Sequence, residues 1–326
     1  MSNLKKICVV GAGRWGKNHI RTLYEMGCLS AIVEPNQNII KELQKKYPDI
    51  SFLTSIEESF VSNLSGYVIA TPAPTHCQIA KKIIQKGFPV LIEKPMALNV
   101  SDCEYILNIA KENNVNVMVG HVLLFHPAIQ RIKQLINLGR IGELQYIYSN
   151  RLNLGQVRTE EDVFWSFAPH DISILQFLTE SFPLEINTMG GAFLQEDIHD
   201  STITFLSYPN NVKAHIYLSW LHPFKEHRIV IIGSKGMISF EDSLDNKPLK
   251  FYDKKFILNK NNFEKIDGEI ELIDYAKKAP LKEELKYFVN NLNKGFDLSC
   301  GENGLEVIKI LTMASEKLNN IPVNER

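Results

Sequence analysis

The stretch ICVVGAGRWGKNHI, residues 7–20, constrains the fold more than any other part of the chain. A short apolar strand runs into three glycines and then into a helical pattern. The first glycine permits a tight turn, the second lets the backbone approach a pyrophosphate, and the third lets helix and strand pack closely. The loop predicts a dinucleotide-binding βαβ unit with the phosphates at the positive end of the helix. The predicted cofactor contacts here are Gly11, Ala12, Gly13, Arg14, Trp15 and Gly16.

Short apolar runs alternate with amphipathic stretches as far as residue 120. This alternation predicts right-handed crossovers and a doubly wound parallel sheet of the Rossmann type. Beyond Gly120, runs such as 144–152 and 201–207 alternate polar and apolar residues, which favours a mainly antiparallel sheet with one covered face. The fold class is therefore an α/β Rossmann domain, residues 1–120, followed by an α+β domain, residues 121–326.

Glu34 ends the second predicted strand, about 20 residues beyond the loop, where an acid accepts hydrogen bonds from the adenosine ribose hydroxyls. A carboxylate there would repel a 2′-phosphate, and no arginine follows it. The cofactor is therefore predicted to be NAD and not NADP. The alternative is a solvated glutamate at a strand end.

Composition excludes several classes of protein. The formal net charge of -1 gives no basic field for nucleic acid. No apolar run approaches the ~18 residues of a membrane helix. Residues 1–6 lack the apolar segment of a secretory signal, and the five cysteines form no CxxC pair. We expect a cytoplasmic protein with reduced thiols and no metal site.

The stretch ATPAPTH, residues 70–76, follows the fourth strand of the first domain. The carboxyl edge of a doubly wound sheet faces the cofactor, so Thr71 and Pro72 are predicted to shape the dinucleotide groove. His76 begins the next helix. It is either a cofactor contact or a surface residue at a helix start, and the residue types alone do not decide between them.

The stretch LIEKPMA, residues 91–97, ends an apolar strand in an acid, a base and a proline. Glu93 and Lys94 are predicted on the cofactor-facing edge, and Pro95 restricts the backbone at Lys94. A lysine near a nicotinamide can hydrogen-bond a reacting oxygen and stabilise its negative charge. The alternative is a surface ion pair, but charges at buried strand ends are uncommon without a functional partner.

The stretch VFWSFAPHDISIL, residues 163–175, contains the second candidate catalytic residue. His170 is predicted to lie just before a helix that begins near Asp171, and a neutral imidazole can accept a proton from a hydroxyl. Asp171 either supports His170 or caps this helix, and the pattern favours capping. By residue type alone, a histidine after a proline is more often a helix-cap or packing residue than a base.

The motifs GAGRWG, ATPAPTH, EKPMA and GSKGMISF together resemble those of the Gfo/Idh/MocA oxidoreductases over nearly the whole chain. The resemblance implies a Rossmann domain followed by an open antiparallel sheet that supports homodimers or homotetramers. It implies that Lys94 is the catalytic lysine, that the Lys94–Pro95 bond is often cis, and that His170 pairs with the lysine. Members often carry aspartates where this chain has Ser166 and Ser173, so the acid that orients His170 is not assigned.

The run RLNLGQVRTEEDVFWSFAPHDISIL is similar to a branch of the family that oxidises the C3 hydroxyl of UDP-N-acetylglucosamine or its uronic acid, feeding an aminotransferase. Arginine reads phosphate in a bidentate manner, which suits a nucleotide diphosphate. Surface, strand or buried structural roles remain alternatives for these residues. The predicted substrate-binding residues are Lys94, His121, Arg151, Asn153, Arg158, His170 and Asp171.

The sequence therefore predicts an NAD-dependent nucleotide-sugar 3-dehydrogenase. Three alternatives stay open: a 3-ketosugar reductase, a dehydrogenase of a free polyol or monosaccharide of the inositol type, and a non-enzymatic cofactor-binding regulator. Arg151 and Arg158 in the substrate cleft would favour a nucleotide sugar, whereas a place on the outer surface would favour a small polyol.

Overall fold

The computed structural model describes residues 5–319, which form two compact units. The first contains the residues through Phe125 together with Ala279–Lys309, and the second contains His126–Lys278 and the residues from Ile310 onward. The boundary predicted at residue 120 differs from this packing, because the chain returns to the first unit after the second sheet. Residues 1–4, on which the expectation of no secretory signal partly depends, lie outside the described residues.

The first unit is built on a parallel sheet whose six described strands follow the order β3-β2-β1-β4-β5-β6. All residues of β1, β4, β5 and β6 are buried, as expected for strands covered by helices on both faces. This sheet confirms the predicted Rossmann fold, with its switch point between β1 and β4. The strands are β1 Ile7–Val10, β2 Leu29–Val33, β3 Ser51–Leu53, β4 Gly66–Ile69, β5 Val90–Glu93 and β6 Val117–Gly120.

Helices connect these strands, and two of them begin at asparagine caps. The Asn36 side chain accepts hydrogen bonds from the Asn38 and Ile39 N–H groups, and that of Asn99 accepts one from Asp102. The three-residue β3 and the four-residue α3 were not predicted, because neither is long enough to show a periodicity. The helices are α1 Arg14–Glu25, α2 Gln37–Lys46, α3 Ile56–Ser59, α4 His76–Ile84 and α5 Val100–Glu112.

The returning segment adds helix α8, Pro280–Asn291, and the first half of α9, Gly301–Asn319, to the first unit. Helix α8 packs against α1 and against the 3-10 turn Val122–Phe125. This packing brings an element from late in the sequence to the nucleotide-binding part of the chain.

The second unit is built on a larger sheet of eight described strands in the order β14-β13-β12-β11-β7-β10-β9-β8. Every neighbouring pair is antiparallel except β7 and β10, so the prediction of a mainly antiparallel sheet is confirmed. The strands are β7 Leu144–Leu154, β8 Glu185–Gly191, β9 Ser201–Ser207, β10 Lys213–Ser219, β11 Leu221–Gly233, β12 Met237–Glu241, β13 Leu249–Asn259 and β14 Asn262–Leu272.

The last two strands form a long hairpin, β13–β14, that joins the edge of this sheet. From sequence, the lysine- and asparagine-rich residues 245–263 predict an irregular surface excursion or a short hairpin, whereas the structure has two strands of 11 residues each. The lysines and asparagines favour an irregular segment, yet most of β14 and the last four residues of β13 are exposed, so they carry polar side chains without losing the backbone ladder.

Helices α6, Pro127–Asn137, and α7, Val163–Thr179, complete the second unit. The helix expected to begin near Asp171 in fact begins at Val163, and Asp162 caps it by accepting a hydrogen bond from the Trp165 N–H. Pro169 lies inside α7. The proline removes one helical hydrogen bond, but the cap and the burial of most of the helix outweigh that loss.

Membrane-spanning helices and metal-binding clusters are both absent from the described residues. No helix within residues 5–319 has the length and apolar character needed to cross a bilayer. No group of three or more His, Cys, Asp or Glu side chains in that range is arranged to hold a metal ion.

Candidate active site

The glycine loop of the first unit has the shape of a phosphate cradle. Gly11 has a φ of +92°, which favours glycine, and a Cβ on Gly16 would lie 2.1 Å from the Gly11 carbonyl oxygen. Gly13 is the N-cap of α1, no side chain caps the helix, and a Cβ there would meet nothing within 4 Å. The loop therefore combines a tight turn, close packing and an open helix N-terminus, which fits a dinucleotide pyrophosphate.

Glu34, which directly follows β2, is buried and held by the backbone. Its Oε2 accepts a hydrogen bond from the Ala12 N–H at 2.8 Å, and its Oε1 accepts one from the Asn36 N–H at 3.0 Å. An ionised carboxylate has about four acceptor sites, so these two bonds orient the group and leave capacity for ribose hydroxyls. The side chain links the glycine loop to the second strand while remaining able to bind an adenosine ribose.

Arg14 and Trp15 lie in the first turn of α1, and both side chains are exposed. Thr71 and Pro72 follow β4, the next strand after β1 across the sheet, and Thr71 is half-buried. A Cβ on Gly11 would lie 2.8 Å from the methyl group of Thr71. The loops after β1 and β4 therefore meet at the switch point, where a doubly wound sheet binds its dinucleotide.

His76 is buried, with both ring nitrogens engaged inside the protein. Nδ1 lies 2.9 Å from the Pro95 carbonyl oxygen, and Nε2 lies 2.9 Å from the Thr71 carbonyl oxygen. Burial lowers the pKa of His76. The imidazole joins the loop after β4 to the loop after β5, so it positions the segment that carries Lys94.

The EKP segment, residues 93–95, lies at the carboxyl end of β5, on the cofactor edge of the sheet. The Lys94–Pro95 peptide bond is cis, and Lys94 is half-buried. Glu93 is buried: its Oε1 lies 2.6 Å from His19 Nε2, and its Oε2 accepts a hydrogen bond from the Lys94 N–H at 3.1 Å. Burial opposes the charge of Glu93, but the bonds to His19 and Lys94 outweigh it and lower the pKa of its carboxyl group. Glu93 therefore acts as an internal anion that holds the backbone of the lysine.

His121 directly follows β6 and is 1% exposed. Burial is the main cause that lowers the pKa of His121 to about 4; the neighbouring Lys94 acts in the same direction and Glu93 acts against it. The ring is therefore neutral at neutral pH. It lies in the electrostatic field of the EKP segment and not at an exposed surface.

In the second unit, His170 is half-buried and lies inside α7, whereas the sequence predicts it just before a helix. Its position in a regular helix fixes its backbone through the hydrogen-bond ladder. Ser173 donates a hydrogen bond to the His170 carbonyl oxygen at 2.8 Å. Ser173 stands at a position where the family resemblance leads one to expect an aspartate, and it bonds to the backbone of His170.

Asp171 does not cap a helix, and that expectation was wrong. Its carboxylate is buried in α7 and accepts hydrogen bonds from Arg151 Nε at 2.9 Å, Arg151 Nη2 at 3.0 Å and Ser149 Oγ at 2.7 Å. The Arg151 side chain is only 12% exposed, and Asp171 raises the pKa of its guanidinium against the opposing effect of burial. Two predicted substrate residues are thus partners of each other, joining α7 to β7.

The other two predicted substrate residues of this unit lie in different settings. Asn153 lies near the end of β7, half-buried, and its Oδ1 is a buried atom without a hydrogen-bond partner in the described part of the chain. Arg158 lies in the loop before α7, with 47% of its side chain exposed and its Nη1 2.8 Å from Glu161 Oε1. Of the two arginines, only Arg158 presents its guanidinium to solvent.

Two models of one family match the chain: the oxidoreductase family NAD-binding Rossmann fold over residues 5–121, and the Gfo/Idh/MocA C-terminal domain over residues 129–239. The chain belongs to the Gfo/Idh/MocA oxidoreductase family. The resemblance of its motifs is therefore confirmed. The protein is an NAD-binding oxidoreductase, and the glycine loop, Glu34 and the EKP segment lie where its Rossmann domain would hold the cofactor.

Two curated members illustrate the range of the family. A 2,7-anhydro-N-acetylneuraminate hydratase from Mediterraneibacter gnavus is 27% identical, over 86% of this chain and 83% of the relative. A UDP-N-acetylglucosamine 3-dehydrogenase from Acidithiobacillus ferrooxidans is 24% identical, over 86% of this chain and 87% of the relative. The solved structure of the latter enzyme, GnnA, has a TM-score of 0.84 at 22% identity and covers 96% of this chain and 97% of its own, which shows a shared fold.

Sequence reasoning missed two buried residues beside the EKP segment, His19 and Glu284. Glu284 shares a helical face with Leu281, Leu285 and Phe288, the last two of which are fully buried. An acid on an apolar helix face is a signal that periodicity could have found. His19 likewise lies on the buried face of α1.

Proposed function

We propose that the protein oxidises the C3 hydroxyl of a UDP-N-acetyl sugar, UDP-N-acetylglucosamine or its uronic acid, to a 3-keto sugar. The observation that carries the hydride-transfer assignment is Lys94 at the carboxyl end of β5, on the nicotinamide half of the sheet, with its backbone held by Glu93. The choice of substrate is supported by similarity to a UDP-N-acetylglucosamine 3-dehydrogenase over most of both chains. A 3-keto product suits consumption by an aminotransferase.

In this reaction Lys94 donates a hydrogen bond to the C3 oxygen and stabilises the negative charge that develops as the hydroxyl proton leaves. His170 accepts that proton as a general base. When bound, NAD supplies the hydride acceptor. Glu34 and the glycine loop orient the adenosine and pyrophosphate, while His76 and Glu93 keep the lysine segment in place.

Arg158 is the better candidate for the diphosphate of a nucleotide sugar. Its exposed pairing with Glu161 is weak, because such surface pairs contribute about 0–1 kcal/mol, and a phosphate can displace the carboxylate. Arg151 supports Asp171 and through it the helix that carries His170. It therefore acts on the substrate site as a positioning residue.

The second candidate is a dehydrogenase of a free polyol or monosaccharide. The observation that favours it is the pairing of Arg151 with Asp171, which removes one of the two arginines expected to read a diphosphate. A small polyol needs no phosphate reader. This alternative keeps the same roles for Lys94 and His170.

We also propose that the protein is a cytoplasmic homodimer or homotetramer. All five cysteines are free thiols, which suits a reducing compartment. The large sheet presents Met189, Ile203 and Phe205 with 69%, 38% and 52% exposure, an apolar surface suited to a second copy. Sedimentation at several protein concentrations would test this, and a monomer throughout would refute it.

The test of function is an activity screen with NAD and four substrates: UDP-N-acetylglucosamine, its uronic acid, myo-inositol and 2,7-anhydro-N-acetylneuraminate. NADH formation is followed by absorbance and the products by mass spectrometry. The proposal predicts NADH and a product two hydrogens lighter with a UDP-sugar alone. NADH formation with inositol alone would establish the polyol alternative, and addition of water to the fourth substrate would refute both.

The matched control for this screen is an exposed lysine. Lys94→Met should lower turnover of whichever substrate is active by about 10²–10³-fold. Lys111→Met, on the exposed surface of α5, should leave turnover unchanged. Equal turnover in both variants would remove Lys94 from the mechanism.

A further inference from the structure

Buried polar atoms without partners are concentrated in one place in the first unit. In its described part, the buried side-chain nitrogen and oxygen atoms that lack a hydrogen-bond partner belong to three residues: His19, His121 and Glu284. They are Nδ1 of His19, both ring nitrogens of His121 and both carboxyl oxygens of Glu284. All three residues are at most 1% exposed. Because each such atom is costly to bury, their concentration needs an explanation other than stability.

The three residues converge on Glu93. His19 bonds to the Glu93 carboxylate, and both His121 and Glu284 lie close enough to be influenced by its charge. The packing is in keeping with this, because α8, the helix of Glu284, packs against α1, the helix of His19, and against the turn that follows His121. The Glu93 carboxylate itself lies against the end of β6, since a Cβ on Gly120 would be 3.2 Å from its Cδ. The cluster therefore lies at the carboxyl ends of β5 and β6, on the nicotinamide half of the sheet.

The two acids of the cluster differ in their hydrogen bonds. Glu93 is stabilised as an anion by His19 and by the Lys94 N–H, whereas Glu284 has no such bonds. Burial, with the charge of Glu93 acting in the same direction, raises the pKa of Glu284 well above its ordinary value. Glu284 is therefore the neutral member. The charged or titratable groups that surround it are Glu93 and, around Glu93, His19, Lys94 and His121.

We propose that Glu284 is a charge-compensating residue that distinguishes oxidised from reduced cofactor. Its O–H bond breaks and the proton passes to solvent when a positively charged nicotinamide ring occupies this edge of the sheet. It takes a proton back from solvent when the ring is neutral. No hydrogen bond of Glu284 has to be broken in either direction, and the positive ring offsets the second negative charge beside Glu93. The inference depends on NAD binding and not on the identity of the sugar.

Linkage gives the sign of the effect. If NAD⁺ lowers the pKa of Glu284, then NAD⁺ binding releases a proton in the pH range between the pKa of the complex and that of the free protein. In that range the affinity for NAD⁺ rises with pH, by about tenfold per pH unit for one released proton. The affinity for NADH, whose ring is neutral, does not change through this group.

The test measures the Kd of NAD⁺ and of NADH by calorimetry across pH, in pairs of buffers that differ in ionisation enthalpy so that released protons are counted. The wild-type protein should release one proton with NAD⁺ and none with NADH. Glu284→Gln cannot ionise, so its affinity for NAD⁺ should be flat with pH and should release no proton. The matched control is Glu283→Gln on the same helix, which should behave as the wild-type protein.

A wild-type affinity for NAD⁺ that does not change with pH would overturn the proposal, as would a Glu284→Gln variant that keeps the wild-type slope. The melting temperature of Glu284→Gln should not fall, because neither carboxyl oxygen has a bond to lose. If this variant does not fold, the infrared spectrum of the wild-type protein decides. The band of a protonated carboxylic acid should disappear with NAD⁺ and persist with NADH, and its persistence with both would refute the idea. No sugar is present, so a wrong substrate assignment leaves these outcomes unchanged.

Discussion

The Arg151–Asp171 pair offers the sharpest test of the second unit, through the substitution Asp171→Ala. The Asp171 side chain is fully buried and that of Arg151 is 12% exposed, so the variant leaves a guanidinium largely out of water without its partner. It also removes the acceptor of the Ser149 hydroxyl. Removing one member of a buried pair costs about 3–5 kcal/mol, so the free energy of unfolding should fall by that amount.

The assay is urea unfolding followed by tryptophan fluorescence with linear extrapolation. Two of the three tryptophans, Trp165 and Trp220, lie in the second unit, so the signal mainly reports the unit that contains the pair. The matched control is Glu161→Ala, which breaks the exposed pair with Arg158. The free energy of unfolding of Glu161→Ala should fall by less than about 1 kcal/mol, since both side chains of the pair already contact water.

A double variant separates the loss of attraction from the cost of an unpaired charge. Arg151→Met combined with Asp171→Leu leaves no buried charge, and apolar replacement of a buried pair is often close to neutral. The double variant should therefore be clearly more stable than Asp171→Ala alone. The reasoning fails if Asp171→Ala costs no more than Glu161→Ala, or if the double variant loses as much as the single one.

Four further predictions concern the first unit. Lys94→Met should lower kcat by about 10²–10³-fold, the usual loss for one donor to a reacting oxygen, while NADH still binds in a fluorescence titration. Glu34→Arg should shift preference from NADH toward NADPH, because the carboxylate that repels a 2′-phosphate is replaced by a cation; unchanged Kd ratios would contradict this. Gly16→Ala should lower the melting temperature, because its Cβ would lie 2.1 Å from a backbone carbonyl oxygen, whereas Gly13→Ala should preserve stability and weaken only dinucleotide binding. Burial lowers the pKa of His121 to about 4, so between about pH 6.5 and pH 4 the unfolded chain binds a proton at this residue that the folded protein does not. The free energy of unfolding should therefore fall as the pH drops through this range, and His121→Leu should reduce the fall.

Much of the first unit could be predicted because its signals are local. A strand, three glycines and a helix follow one another within residues 7–20. At the end of β5, Glu93 and Lys94 are adjacent in the chain. Hydrophobic periodicity places such segments in a parallel sheet. Because ligands bind at the carboxyl ends of parallel strands, the place of the cofactor site can then be predicted. Polar and apolar alternation likewise predicted the mainly antiparallel second sheet. The family resemblance added the expectation that Lys94 pairs with a histidine, which periodicity alone does not give.

Local rules failed where a longer-range contact outweighed them. The helix predicted to begin near Asp171 begins at Val163, because the Asp162 cap and the burial of α7 carry the helix through Pro169. Asp171 had the pattern of a cap, but its partner Arg151 lies 20 residues earlier on a strand that no spacing rule connects to it. The lysines and asparagines of the late hairpin suggested a loop, because a solvent-exposed ladder tolerates polar side chains that a covered strand would not.

The sequence by itself determined that the first unit is built around a glycine loop for a dinucleotide, that an acid follows the second strand and that a lysine follows the fifth. Each of these features depends on residues that are close together in the chain, because the backbone geometry at a turn or a strand end restricts which side chains fit there. Only the tertiary structure decided which charges are paired and which are buried alone. His19 meets Glu93 from 74 residues away, and α8 carries Glu284 to the same place from the far end of the chain. Burial and pairing are set by packing between distant segments, and local spacing does not encode that packing.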